Sequence, residues 1–549
     1  MQNKYLSKNN WLITTIIITC VISLPIIVVL ISIFLPKNQN WGHILDYLIW
    51  IYLKETMFLV LWTGIISTFF GVLCAWFCTN VDFPFRKTMS WMLILPLASP
   101  AYVVAYVYAD LFEYGGIIHL TLENYSNLQI YSWPKEGLRS IFGASLVFAF
   151  VLYPYIYLLC RTSFIQKSER LEEISQVLGS SKLKSFFKVS LPMSRPAIIG
   201  GLTLIIMEVV ADFGVADYFG ISTLTTGVFR IWLSLGDRIS ALQLSAGIFI
   251  IIFFIILLEK FYRKGDNYNP DNIITHKKLL NVKALKYFVM IFCFIPIAIG
   301  FIIPIYKLIT MHIISSNSLL ETSLTNSMTN SFTVASIAST ITLIIAIILI
   351  YADRINPSRI IKKLIEVSTL GYALPGAIVG LGVIVVLTWI DLNLSRLLIK
   401  YLDYNLGLIL TGSITALILS YVIRFLTISF NTCHSSISKI DPLIDEKAKI
   451  LGAKHSRILS TIHFPLMFPA IISAWVLVFV EVIKELPATL ILRPFNFETL
   501  STNVYRLASD EKLIEASSSS LIMISLGIIS VLILSSKYSL GIYSKRNIN

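Results

Sequence analysis

Long apolar runs alternate with short polar stretches from one end of the chain to the other, and none shows the two-residue alternation of a half-buried strand. Roughly twelve runs approach the 20 or so residues a helix needs to cross a hydrocarbon core: near 11–35, 56–79, 90–111, 140–165, 197–219, 241–262, 286–311, 329–351, 367–390, 405–428, 469–492 and 519–541. Lipid does not tolerate unpaired backbone, and the dyad pattern of a barrel is absent. The runs therefore predict an all-α integral membrane protein with about 12 transmembrane helices. The first run, Trp11 to Leu35, exceeds the 7–15 apolar residues of a signal-peptide core and predicts a retained helix.

The pattern repeats. At an offset of 273 residues, Glu173, Leu178, Gly179, Pro192, Pro196, Ala197, Leu204, Glu208 and Val209 meet Glu446, Leu451, Gly452, Pro465, Pro469, Ala470, Leu477, Glu481 and Val482. Asp212 meets Glu485, so acidic character persists there. An offset of about six spans implies two parallel six-helix repeats rather than inverted ones. The expected halves are residues 1–275 and 276–549, with inward loops at 166–196 and 439–469. The join lies in the basic stretch Lys260 to Lys283, where Gly265, Asn267 and Pro270 supply linker chemistry.

Composition agrees with lipid as the solvent: 56% of the 549 residues are hydrophobic and 14% charged. The net charge of +13 does not imply nucleic acid, because roughly thirty of the 44 Lys and Arg fall in loops on one side. Examples are Arg161, Lys167, Arg170 and Lys188, or Lys439, Lys447, Lys449 and Arg457. The positive-inside bias predicts a multi-pass protein of the cytoplasmic membrane with both ends in the cytoplasm. The six cysteines are scattered without metal-finger spacing and are expected to be packing thiols.

Each inward loop keeps one metre: Glu173, Gly179 and Pro192 in the first repeat; Glu446, Ala448, Gly452 and Pro465 in the second. Glu near a helix start complements the dipole, Gly permits a tight turn, and Pro opens a helix at little cost. Here the sequence resembles the permeases of binding-protein-dependent ABC importers of type I, whose cytoplasmic Glu-Ala-Ala loop has Gly six positions on and a late Leu-Pro. The first repeat departs from it at both alanines, the second at the first alanine and the late Leu. The resemblance implies that each loop docks a coupling helix on a cytoplasmic ATPase, giving two ATPase copies. No phosphate-binding Gly-rich loop with Lys-Ser/Thr occurs, so no cofactor is expected in this chain, and ATP and Mg would be used by the partner.

Glu208 and Asp212, and Glu481 and Glu485, are spaced i, i+4 and would stack on one helix face. Acids in lipid face either a pathway or a partner, and both readings stand: a cation path with Asp212 and Glu485 as transient metal ligands, or structural hydrogen bonds and pairing with Lys484. Pro100 and Pro375 are candidate kinks opening a cavity. Further strings resemble the ferric-iron branch of the family: Leu95-Pro96-Leu97-Ala98-Ser99-Pro100, Glu208 to Gly214, Trp232 to Arg238, Tyr372 to Ala377 and Lys484 to Thr489. That branch implies ferric iron as cargo and an extracytoplasmic iron-binding protein as partner, besides membrane lipid. The segments 220–240 and 493–516, each with an aliphatic-aromatic-Arg step ending in Arg230 or Arg506, are candidate surface helices receiving it. The rivals are permeases for thiamine, a polyamine or an oxyanion, an ion-coupled secondary transporter, and a membrane enzyme. Repulsion from the acids disfavours the oxyanion, the duplicated loops disfavour the secondary transporter, and no nucleophile-base arrangement supports the enzyme.

Overall fold

The structure, a computed structural model, describes residues 2–38, 40–126, 138–167, 175, 177, 181–263, 283–314, 322–404 and 407–543. Among these the regular structure is helical. Ten helices are long and apolar enough to cross a membrane, and two bent pairs bring the total to twelve if each counts as one span. The pairs are Arg86–Ala98 with Ala101–Phe112, bent by 89°, and Phe186–Met193 with Arg195–Ala211, bent by 58°. The first repeat contributes α1 (Gln2–Ile31), α2 (Ile49–Asn80), α3 (Ile141–Lys167) and α4 (Arg195–Ala211). The second contributes α5 (Thr322–Ile355), α6 (Gly376–Leu402), α7 (Ile414–Ile437), α8 (Pro442–Ile450), α9 (Phe464–Lys484) and α10 (Leu513–Tyr543). The duplication holds at the level of elements: α2 and α5, α3 and α7 begin 273 residues apart, and α4 and α9 end 273 residues apart.

The helices form two compact units. The first is built on α2, α3 and α4. Glycine lets these helices approach closely: a Cβ at Gly71 or at Gly201 would come within 2.8 Å of Ile156, so both helices close on α3 at that residue. The second is built on α5, α7 and α9, whose shared core includes Leu343, Ile350, Cys433, Ile437, Met467, Ile471 and Ala474.

Each unit takes the opening helix of the other repeat. α1 packs on α6 and on the helix Arg359–Ser368 in the second unit, whereas Ile303–Ile314 packs on α10 in the first. One stripe of α1 explains its placement: Ile22, Ile26 and Val29 are buried at helical spacing, while Ile17, Val21 and Ile31 on other faces stay exposed to lipid. Gly382 of α6 meets Pro25 of α1, where a side chain would strike its carbonyl. Contact units thus cut across the halves 1–275 and 276–549, and the join itself, residues 264–282, lies outside the described residues.

Candidate coupling and translocation sites

The second of the repeated loops, expected to face inward, is built around α8. Asp441 accepts the Leu443 N–H at 2.9 Å and caps the start, and Pro442 takes the first helical position, where a missing donor costs little. At the other end Gly452 has φ +85°. Its N–H donates to the Lys449 carbonyl, and Ala453 N–H to the Ala448 carbonyl, each at 3.0 Å. That pairing is a Schellman turn, which requires a left-handed residue and explains a glycine six places after Glu446. Ala448, half-buried, supplies the carbonyl on which the turn closes. Glu446 is exposed beside Leu443, Ile444, Ile450 and Leu451, themselves 54%, 40%, 84% and 87% exposed. Outside the spans, apolar side chains ringed by charge have the character of a protein-docking surface.

Glu173 and Gly179 of the first loop lie outside the described residues. Pro192 and Pro465 are described, and they share a local structure: each follows a five-residue π-helical turn, Phe186–Ser190 and Leu459–His463, 273 residues apart. A widened turn accommodates the hydrogen bond that proline cannot make, and such turns recur at functional positions.

The acids do not stack as i, i+4 pairs on one helix face. α4 ends at Ala211 and α9 at Lys484, and Asp212 and Glu485 take extended backbone, ψ 139° and 119°, so their side chains leave the face that carries Glu208 and Glu481. Each acid instead caps the short helix beyond the break. Asp212 Oδ1 accepts Val215 N–H at 2.8 Å, ahead of Gly214–Tyr218; Glu485 Oε1 accepts Ala488 N–H at 3.1 Å, ahead of Pro487–Leu492. Hydroxyls satisfy the carbonyls freed by the breaks: Thr225 donates to Val210 at 2.5 Å, and Thr489 and Ser501 both donate to Glu485 at 2.7 Å. Irregular backbone at membrane depth persists where neighbours supply such donors.

Glu485 is 5% exposed, and its carboxylate pairs with Arg424 of α7, Nη1 to Oε1 2.5 Å. Sequence reading had not singled out Arg424, although an arginine inside an apolar run is itself a signal. Pro375 is not a kink within a helix; it precedes the first residue of α6, as Pro100 precedes Ala101–Phe112. The next residue, Gly376, abuts the Arg424–Glu485 pair so closely that a Cβ would overlap both side chains. The second unit therefore brings together Pro375, Gly376, Arg424 and Glu485, with Glu481 one turn back on α9.

In the first unit, Phe213 at the break stacks on Phe229 at 3.9 Å and lies 5.7 Å from the Tyr505 ring, whose hydroxyl donates to Asp217 at 2.6 Å. The segments expected as surface helices are mostly inside: Leu224–Phe229 is wholly buried, as is Val504. The apolar steps before the arginines anchor them to the bundle. Arg230 donates to Ser222 at 2.9 Å, and both Arg230 and Arg506 are half-buried. Asp212 and Glu485 belong to separate units, and among the described residues no group of three or more His, Cys, Asp or Glu is arranged to hold a metal.

Residues 67–266 match the family described as binding-protein-dependent transport system inner membrane component. The chain is 24% identical to the Fe(3+)-transport system permease protein FbpB 2 of Haemophilus influenzae over 482 residues, covering 86% of this chain and 87% of that protein. It is 21% identical to the ferric transport system permease protein FbpB of Actinobacillus pleuropneumoniae over 80% of this chain and 64% of that one. The sulfate transport system permease protein CysT of Salmonella typhimurium is 28% identical over 32% of this chain and 61% of its own length. Residues 67–266 thus carry the binding-protein-dependent transport inner membrane component signature, and the ten to twelve helical spans and the similarity to ferric permeases along most of the chain agree with a fused two-repeat permease of that type.

Proposed function

We propose that this permease translocates ferric iron, delivered by an extracytoplasmic iron-binding protein and driven by two copies of a cytoplasmic ABC ATPase that dock on the two inward loops. The observation that carries the cargo assignment is length. Similarity to ferric permeases runs through both fused repeats, over 86% and 80% of the chain, whereas similarity to the sulfate permease covers 32%. The acids add chemical support, since hard carboxylate oxygens suit a hard cation. Glu485 contributes least to that argument because Arg424 already meets its charge, so it rests on Glu208, Asp212 and Glu481.

The oxyanion reading keeps one specific support: the sulfate permease CysT, and the molybdate/tungstate permease WtpB of Methanocaldococcus jannaschii, align at 28% identity, slightly above the ferric relatives. Parallel uptake decides between them. Cells expressing the permease with its partner subunits are given labelled ferric iron, sulfate and molybdate; ATP-dependent accumulation of iron alone is expected. Accumulation of sulfate or molybdate without iron would overturn the assignment.

A further inference from the structure

Asp445 is the α8 residue turned inward: it is 8% exposed, while Ile444 and Glu446 beside it are exposed. Its carboxylate joins α8 to two membrane helices. Oδ2 lies 2.9 Å from Arg354 Nε in the last turn of α5, and Oδ1 lies 2.8 Å from Nε2 of His463, the residue before α9. Arg354 Nη2 also donates to the Ile440 carbonyl at 3.0 Å, fixing the entry to α8. Tyr351, one turn back on α5, donates its hydroxyl to the His455 carbonyl at 2.5 Å and packs edge-on against the His463 ring at 5.8 Å. The inner end of α5 thus grips the loop before, within and after α8.

Burial pushes the Asp445 carboxyl up, but the hydrogen bonds from Arg354 and His463 outweigh it and hold the group below its ordinary range. An ionised carboxylate only accepts, so His463 must present a proton on Nε2. The sequence of the first repeat lacks these partners at the matching positions. The residues 273 places earlier are Val81 for Arg354, Cys78 for Tyr351 and Ser190 for His463, and none offers a cation or an imidazole. The position of Asp445 falls on Glu172, outside the described residues.

We propose that Arg354 and His463 are positioning residues for energy coupling: by gripping Asp445 they make α8 move as one body with α5 and α9, so that the second repeat transmits the stiff stroke from the ATPase. This rests on the reading of α8 as the ATPase-docking helix. A loop held at Ile440, Asp445 and His455 converts movement of α8 into movement of the span. Without the grip, the same movement would be absorbed by the Schellman turn at Gly452 and the π-helical turn before Pro465.

The test uses the whole transporter, permease with its ATPase and binding protein in vesicles, supplied with labelled ferric iron, sulfate and molybdate and scored on whichever the wild type accumulates. Three quantities are read: ATPase retained on the permease, ATP hydrolysed, and solute accumulated per ATP. Arg354→Met and His463→Leu are expected to keep the ATPase bound and hydrolysing while solute per ATP falls by about tenfold, within the usual range of inter-site coupling. His463→Gln, which preserves an N–H donor, and the swap Arg354→Glu with Asp445→Arg are expected to recover to within about threefold, and Ser190→Ala to change nothing. An unchanged ratio in the first two variants, loss of the ATPase from them, or no recovery in either rescue overturns the proposal. Should Arg354→Met not reach the membrane, His463→Leu against His463→Gln decides: an equal ratio in the two overturns it. Failure of the docking reading shows separately, as an ATPase that stays bound to Glu446→Arg.

Discussion

Arg424 Nη1 lies 2.5 Å from Glu485 Oε1, and the pair closes the helix break of the second unit against the glycine that opens α6. Both side chains are nearly inaccessible, 11% and 5% exposed, so neither charge is supported by water. Removing one partner strands the other. Arg424→Met is therefore expected to cost about 3–5 kcal/mol of stability, most of it recovered by adding Glu485→Gln, which removes the charge but keeps an oxygen for Ala488 N–H, because the cost is an uncompensated buried charge rather than a lost attraction. Thermal unfolding of the solubilised permease measures both. Gly376→Ala should cost about 1–3 kcal/mol by forcing the pair apart.

At Gly452 the constraint is conformational. The residue has φ +85° and nothing within 4 Å of a built Cβ, so alanine meets strain without a clash. Gly452→Ala is expected to cost about 1 kcal/mol locally and to fray the end of α8. The permease should fold normally and retain its ATPase several-fold less well, measured by co-purification. Unchanged retention would mean that the Schellman end of α8 is not part of the docking surface.

Acid should leave the joint at Asp445 intact until unusually low pH. A depressed carboxyl contributes stability that is fully present above the unfolded value and lost as pH falls through the folded one. The folded value lies below the ordinary 3.8. The stability that the carboxylate contributes over Asp445→Asn should then persist down to about pH 5 and shrink only in stronger acid. A difference that declined between pH 8 and 6 would contradict this assignment of the carboxyl.

Asp212 separates cargo chemistry from scaffolding. Asn keeps an oxygen to accept Val215 N–H, so Asp212→Asn should preserve the break and the melting temperature while removing the charge. Iron uptake is expected to fall at least about tenfold, on the order of one ligand interaction. Undiminished uptake in a stable protein would leave Asp212 a cap and nothing more.

Much of this architecture is legible in the sequence because membrane helices declare themselves by length and the duplication by a fixed offset. The loop metre also reads directly: a glycine six places after Glu446 is expected to permit a tight turn, and Gly452 makes one at φ +85°. What the sequence conceals is adjacency. Nothing in the periodicity of α1 says that Ile22, Ile26 and Val29 pack against the other repeat. The i, i+4 spacing of Glu481 and Glu485 assumed an unbroken helix, and hydroxyls remote in sequence, Ser501 among them, are what make the break tolerable. Arg424 and His463 each carried a faint signal, a cation within an apolar run and an imidazole in the late loop motif where its neighbours are apolar. Their meaning appears only once Glu485 and Asp445 are seen across from them.

The most direct test of the account is ATP-driven uptake of labelled ferric iron by the reconstituted transporter when both inward loops are reversed in charge, Glu173→Arg with Glu446→Arg. The permease should remain in the membrane, lose its ATPase and accumulate no iron. Wild-type uptake by the double variant, or by wild-type permease with no ATPase present, would contradict it.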